Sequence, residues 1–296
     1  MKPLGAQEVA WAAQLACLYE AGAEKPGNVH PHASFGDTSY ADFVASAVAI
    51  GPAFAAAADA TVGRTVLEAV TATRLLVRTN TNLGIVLLLA PLARAVAAAG
   101  GGEALRSAAG RVLDDLTVAD AGAAYEAIRR AAPAGMGEVA AHGVDEPQPD
   151  LTLRAAMELA RERDAVAREY CSAYAVTFEL GYPVLAESWA AGRRLSDAIV
   201  TTFLRILAEV PDTLIARKHG PALAADLSRR AARALAAGGC DTEAGRLEVA
   251  RLDAELRDPG HGRNPGTTAD LVCAALFVFL TEGGMIAQVP ALSARW

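Results

Sequence analysis

Apolar residues recur at helical spacing along nearly the whole chain, and polar islands break that rhythm at a few places. Residues 6–23 predict a first helix, with Val9, Ala13, Ala16, Cys17 and Glu20 near one face. Further helices are expected over 40–50, 65–77, 103–116, 117–131, 196–208, 221–237 and 241–257, the last heavily charged and exposed. A short helix or turn is expected at 211–219, and one long helix at 151–180. The charged run 161–164 within it reads as a solvated face. Two stretches, 83–93 and 271–280, are apolar on every side and read as central buried helices, the first kinked at Pro91. Alternating Val, Ile and Thr runs are missing. The expected fold is therefore all-α, a multi-helix globular domain over residues 1–296.

The islands hold the chemistry. The first runs from Glu24 to Phe43, where Pro26-Gly27 stops the preceding helix. It carries Lys25, Asn28, His30, His32, Asp37 and Asp42. The second is Arg78-Thr-Asn-Thr-Asn-Leu-Gly84, with Asn80 and Asn82, leading straight into the first apolar helix. The Gly- and Pro-rich stretch 133–149 is either a linker or a third island, with Glu138 and His142. The last runs from His261 to Asp270, with Asn264, Gly266, Thr267 and Thr268, and feeds the second apolar helix.

A loop rich in Gly, Asn and Thr before a buried helix offers free amides and the positive end of the helix dipole, which suits phosphate. Ordinary capping by Thr267 or Thr268 explains one such loop without a ligand. Two such loops together with the Lys25 island favour a site for an anionic ligand. Asp37, Asp42 and Asp270 are candidate Mg²⁺ ligands, because hard cations prefer carboxylates. Asp270 alternatively complements the helix N-terminus. His30-Pro-His32 has no third ligand in spacing, so His30 reads better as a phosphate or hydroxyl contact. Glu20 or Glu138 is a candidate general base. No Walker A lysine pattern and no dinucleotide fingerprint is present.

Composition narrows the class. The chain has 296 residues, 53% of them hydrophobic, enough for a large core. Its net charge of −7 argues against nucleic-acid and acidic-membrane binding. The apolar stretches fall short of the roughly 20 residues a bilayer span needs. The four cysteines are scattered and are expected to be reduced and largely buried, in a cytoplasmic protein. The first residues lack the pattern of a signal peptide.

Six motifs in order, K-P-G-N-V-H (25–30), D-T-S-Y-A-D-F (37–43), T-N-T-N-L-G (79–84), G-M-G-E (135–138), P-D-T-L-I-A-R-K-H-G (211–220) and N-P-G-T-T-A-D-L (264–271), resemble the triphosphoribosyl-dephospho-CoA synthase family over nearly the whole chain. They look most like its archaeal and methylotroph branch. The resemblance implies an all-α enzyme that takes ATP as substrate and moves a triphosphoribosyl group to 3′-dephospho-CoA, releasing adenine. It implies that Lys25, Gly27, Asn28, His30, Asn80, Asn82, Arg217, Lys218, Asn264, Gly266, Thr267 and Thr268 bind substrate. It implies that Asp37 and Asp270 hold Mg²⁺, and that Glu20, Asp37 and Glu138 take part in the chemistry. The expected partners are small-molecule nucleotides, with a homodimer left open as the assembly. The citrate-lyase branch has a His-Lys pair after T-N-T and a second Asp after D-x, where this chain has Asn82-Leu83 and Ser39. A different cofactor precursor in C1 metabolism therefore stays open as the acceptor. So do a Mg²⁺-dependent N-glycoside hydrolase and a non-catalytic nucleotide-binding partner.

Overall fold

The computed structural model describes residues 4–99, 104–133, 149–258, 260, 262–282, 288–289 and 294–296. Among them are fifteen α-helices and one π-helical turn, and no strand beyond an isolated bridge between His30 and Ala33. The expected all-α fold is observed.

The two apolar stretches form the centre. Leu83–Ala98 buries residues on every side along most of its length, because no face of it carries charge before Arg94. Gly266–Thr281 buries every residue from Thr267 to Thr281 except Asp270. These two helices pack on each other, and Ala6–Gly22 packs on both. Leu195–Glu209 also packs against Gly266–Thr281. Small residues such as Ala12, Ala13 and Ala16, all at 0% exposure, let Ala6–Gly22 lie close to its neighbours. No helix among the described residues is long and apolar enough to cross a membrane.

Pro91 sits inside a continuous helix. It has no N–H to give the carbonyl four residues earlier, that of Leu87. The buried Tyr170 hydroxyl donates to Leu87 O at 2.7 Å instead, and Tyr174 donates to the next carbonyl, Leu88 O, at 2.7 Å. Burial pushes both phenol pKa values up, so both remain donors at any physiological pH. Tyr170→Phe leaves the Leu87 carbonyl without this donor in the core. It is expected to cost about 1–3 kcal/mol of stability, read as a lower urea midpoint at unchanged slope.

The expected long helix at 151–180 is instead divided. Leu153–Ala160 ends at the charged run, and Asp164 caps the next helix, Ala165–Ser172, by accepting from the Val166 amide at 2.9 Å. Ala173 and Tyr174 then adopt positive φ of 49° and 61°, ending that helix. Buried Glu169 accepts from the amides of Val176 and Thr177, both at 2.9 Å, where the π-helical turn Val176–Gly181 starts. Apolar periodicity runs through these breaks unaltered, which is why the pattern alone reads as one helix. All four cysteines are free; Cys17 and Cys273 are buried, whereas Cys171 and Cys240 are only half-buried.

Candidate active site

A cavity of about 1230 Å³ opens where the two central helices begin. Residues from the first, second and last islands, and from the 211–220 motif, line it together. Glu138 and His142 lie outside the described residues.

The first island divides between cavity and scaffold. Asn28, Asp37 and Thr38 line the cavity, with Asp37 exposed at its rim. Lys25, expected at phosphate, does not reach it. Its side chain is at 0% exposure and pairs with Glu20 Oε1 at 2.9 Å, while also donating to Ala23 O at 3.3 Å. A buried ammonium needs a carboxylate and carbonyls around it, and those groups claim it before any ligand. Glu20 does line the cavity.

Gly27 and His30, also expected at substrate, turn away as well. Gly27 takes φ 72° and gives its amide to Asp253 Oδ1 at 2.8 Å. A β-carbon there would lie 2.6 Å from Leu256 Cβ, so the glycine serves close packing against a helix. His30 Nε2 lies 3.1 Å from Arg257 Nη2. Arginine only donates, so this nitrogen is the acceptor. Burial first, then the Arg257 charge, holds the His30 pKa below its ordinary value. Asp253 and Arg257 flank the end of Glu243–Leu256, the helix expected to be merely solvated. Their ion pair, 2.8 Å, and the Arg257 bond to Asn28 O, 2.9 Å, instead pin the first island.

The second island caps a helix and lines the cavity at once. Asn80 Oδ1 accepts from the Leu83 amide at 3.1 Å, and Asn82 Nδ2 donates to Thr73 Oγ1 at 3.0 Å. Both residues, and Leu83, face the cavity. Arg74 and Arg78, four residues apart on and just after Val62–Leu76, bring positive charge to this wall.

At the other central helix a protein carboxylate already fills the anion position. Asp212 Oδ2 accepts from the Thr268 amide and hydroxyl, each at 2.8 Å, and its Oδ1 accepts from the Ile215 amide at 3.0 Å. One side chain thus caps both Thr213–His219 and Gly266–Thr281. Thr268 is consumed in this cap and does not line the cavity, against expectation. Thr267 lines it while accepting from Thr213 Oγ1 at 3.2 Å; Asn264 and Gly266 line it too.

Arg217 and Lys218 face the cavity as expected. Arg217 Nη1 pairs with Asp164 at 2.9 Å, and among the described residues its buried Nε has no hydrogen-bond partner. Lys218 Nζ is 3.4 Å from Asn264 Oδ1, and burial lowers its pKa. Arg163 and Asp164, read from sequence as solvated, are wall residues. Asp164 is half-buried there beside Arg217, while Arg163 stays exposed at the rim; the break at Ala160 sets this, and periodicity carries no trace of that break.

Asp270 sits at the cavity wall, half-buried, in a helix otherwise closed from Thr267 onward. Its Oδ2 lies against Gly84, where a β-carbon would come within 2.6 Å of the carboxyl carbon. Burial pushes its pKa far up; Glu20, Asp164 and Asp212 add to the rise, and Arg217 opposes it. Those three carboxylates each have partners of their own, in Lys25, Arg217 and the Asp212 caps. Among the described residues, no three His, Cys, Asp or Glu side chains cluster to hold a metal; Asp37 and Asp270 both line the cavity.

The fold and site define an all-α protein whose cavity joins arginines, a lysine and helix N-termini to carboxylates. The chain belongs to the CitG family, ATP:dephospho-CoA triphosphoribosyl transferase, whose model matches residues 6–288. The 2-(5″-triphosphoribosyl)-3′-dephosphocoenzyme-A synthase of Klebsiella pneumoniae is 35% identical over 104 residues, 35% of this chain and 36% of its own. A Pseudomonas putida protein provisionally given the same name is 37% identical over 98 residues, 33% of this chain and 34% of its own. The matched span is thus about a third of the length of these curated relatives. A crystal structure from Archaeoglobus fulgidus, provisionally described as a triphosphoribosyl-dephospho-CoA synthase, superposes with a TM-score of 0.62 and 27% identity. It covers 81% of this chain and 99% of that one.

Proposed function

We propose that this protein transfers the triphosphoribosyl group of ATP to a hydroxyl of 3′-dephospho-CoA and releases adenine. The bond from ribose C1′ to the adenine nitrogen breaks, and C1′ bonds to the acceptor oxygen. The acceptor's proton passes to a base, and adenine leaves with the bonding pair and takes up a proton.

The observation that carries this reading is the convergence of Arg217, Lys218, Asn80 and Asp270, far apart in the chain, on one cavity. The Nε of Arg217, without a partner among the described residues, is a buried donor that a phosphate oxygen would satisfy. Arg74 and Arg78 bring charge to the wall where the citrate-lyase branch carries a His-Lys pair. The carboxyls of Asp270 and Glu20 face positive charge developing at C1′, as carboxylates do in glycoside cleavage. Glu20, and Glu138 outside the described residues, are the candidates to accept the proton. Mg²⁺ enters this reading as part of the substrate, held chiefly by triphosphate oxygens, with Asp37 and Asp270 the carboxylates available to it. Both substrates are nucleotides of the cytoplasm, where we place the reaction.

Incubation with ATP, Mg²⁺ and dephospho-CoA should yield free adenine only when the acceptor is present. Arg217→Ala is expected to raise the KM for ATP about tenfold or more. Adenine released equally without any acceptor would instead mark a hydrolase, and no adenine under either condition would remove the transfer reading.

A further inference from the structure

The cavity has a second character that the reaction centre does not use. Its volume of about 1230 Å³ exceeds the roughly 300–1,000 Å³ of pockets that hold one small ligand. From Asp164, beside Arg217, one wall runs back along Leu153–Ala160. Leu153, Ala156, Met157 and Ala160 line the cavity there, at the i, i+3, i+4, i+7 spacing of one helix face. At 1.5 Å per residue, that face extends about 10 Å away from the charged end. Tyr125 and Ile128 line the cavity from the helix Val118–Ala131, which packs on it. Leu159 also lines the cavity, at 63% exposure. This wall holds no charge between Leu153 and Ala160 that reaches the cavity. A triphosphate or ribose gains nothing from it.

We propose that this apolar wall seats the uncharged, amide-linked alkyl arm of the acceptor, and so selects an acceptor that carries such an arm. The proposal rests on the reading of the cavity as a two-substrate transferase site. The acceptor named by that reading has a nucleotide end suited to arginines and a long uncharged arm suited to Leu153 and Met157. Polar groups of the arm are spaced widely enough for its methylene segments to meet the apolar stripe, and burying those segments stabilises the complex.

Calorimetric binding tests this without relying on turnover. The ligands are dephospho-CoA and ADP, which is the same nucleotide end without the arm. Wild-type protein is expected to bind dephospho-CoA at least tenfold more tightly than ADP. Met157→Glu places a charge on the stripe and is expected to bring the two affinities within about twofold, with ADP binding unchanged. Leu159→Glu, at an exposed position that should fold normally, is expected to reduce the preference at least threefold. Equal binding of both ligands by the wild type overturns the proposal, and so does a preference that survives in Leu159→Glu and in folded Met157→Glu. The adenine assay stands apart: its failure removes the transfer reading, whereas loss of arm preference is read from binding alone.

Discussion

Asp270→Asn is expected to lower acceptor-dependent adenine release by about 10²–10³-fold while leaving the melting temperature unchanged or higher. The two effects have one cause. Asp270 opens onto the cavity with no ion pair among the described residues, and burial first, then Glu20, Asp164 and Asp212, disfavours its ionised form. Such a group contributes nothing to folding, which points to a role toward a ligand. Asparagine keeps the shape but cannot ionise when positive charge develops beside it, so the stabilisation of charge at C1′ is lost while the empty site is undisturbed or eased. Gly84→Ala should mimic the loss, since its added methyl would displace the Asp270 carboxyl. Adenine measured by chromatography beside a thermal melt reads both predictions. Wild-type turnover in folded Asp270→Asn contradicts the assigned role.

Lys25→Ala is expected to cost about 3–5 kcal/mol of stability, a fall of roughly 6–20 °C in melting temperature for a chain of this size. The lysine is fully enclosed, and its removal strands Glu20 at 3% exposure. Because the desolvation of Glu20 causes the damage, the double change Glu20→Gln with Lys25→Met should recover most of the lost stability. A double variant as unstable as Lys25→Ala would show that the packing of the lysine stem, and not the pair, matters. The same contact explains the direction of the first island. Once Lys25 holds Glu20 in place, Glu20 can line the cavity although Lys25 never reaches it.

The site was legible where residue type and helix boundary coincide. Asn80, Arg217, Lys218, Asn264 and Asp270 stand beside expected helix ends, and ends of buried helices are where polar groups meet a cavity. Lys25, Gly27, His30 and Thr268 carry the same chemical types in the same motifs. They turn instead to Glu20, Asp253, Arg257 and Asp212, partners in other elements or in the last turn of the preceding helix. A motif records which residues are needed but not whether the need is for a ligand or for the scaffold.

The sequence by itself determined the helical class, the two central helices and the positions of the islands, because each follows from local spacing, helix-breaking residues and apolar content. Only the tertiary structure decided which island residues share the cavity. It also turned Asp164 inward and gave Asp212 the helix N-terminus that a phosphate was expected to take. Those outcomes depend on competition among polar groups for a few buried partners, and which partner lies nearest is set by helix packing.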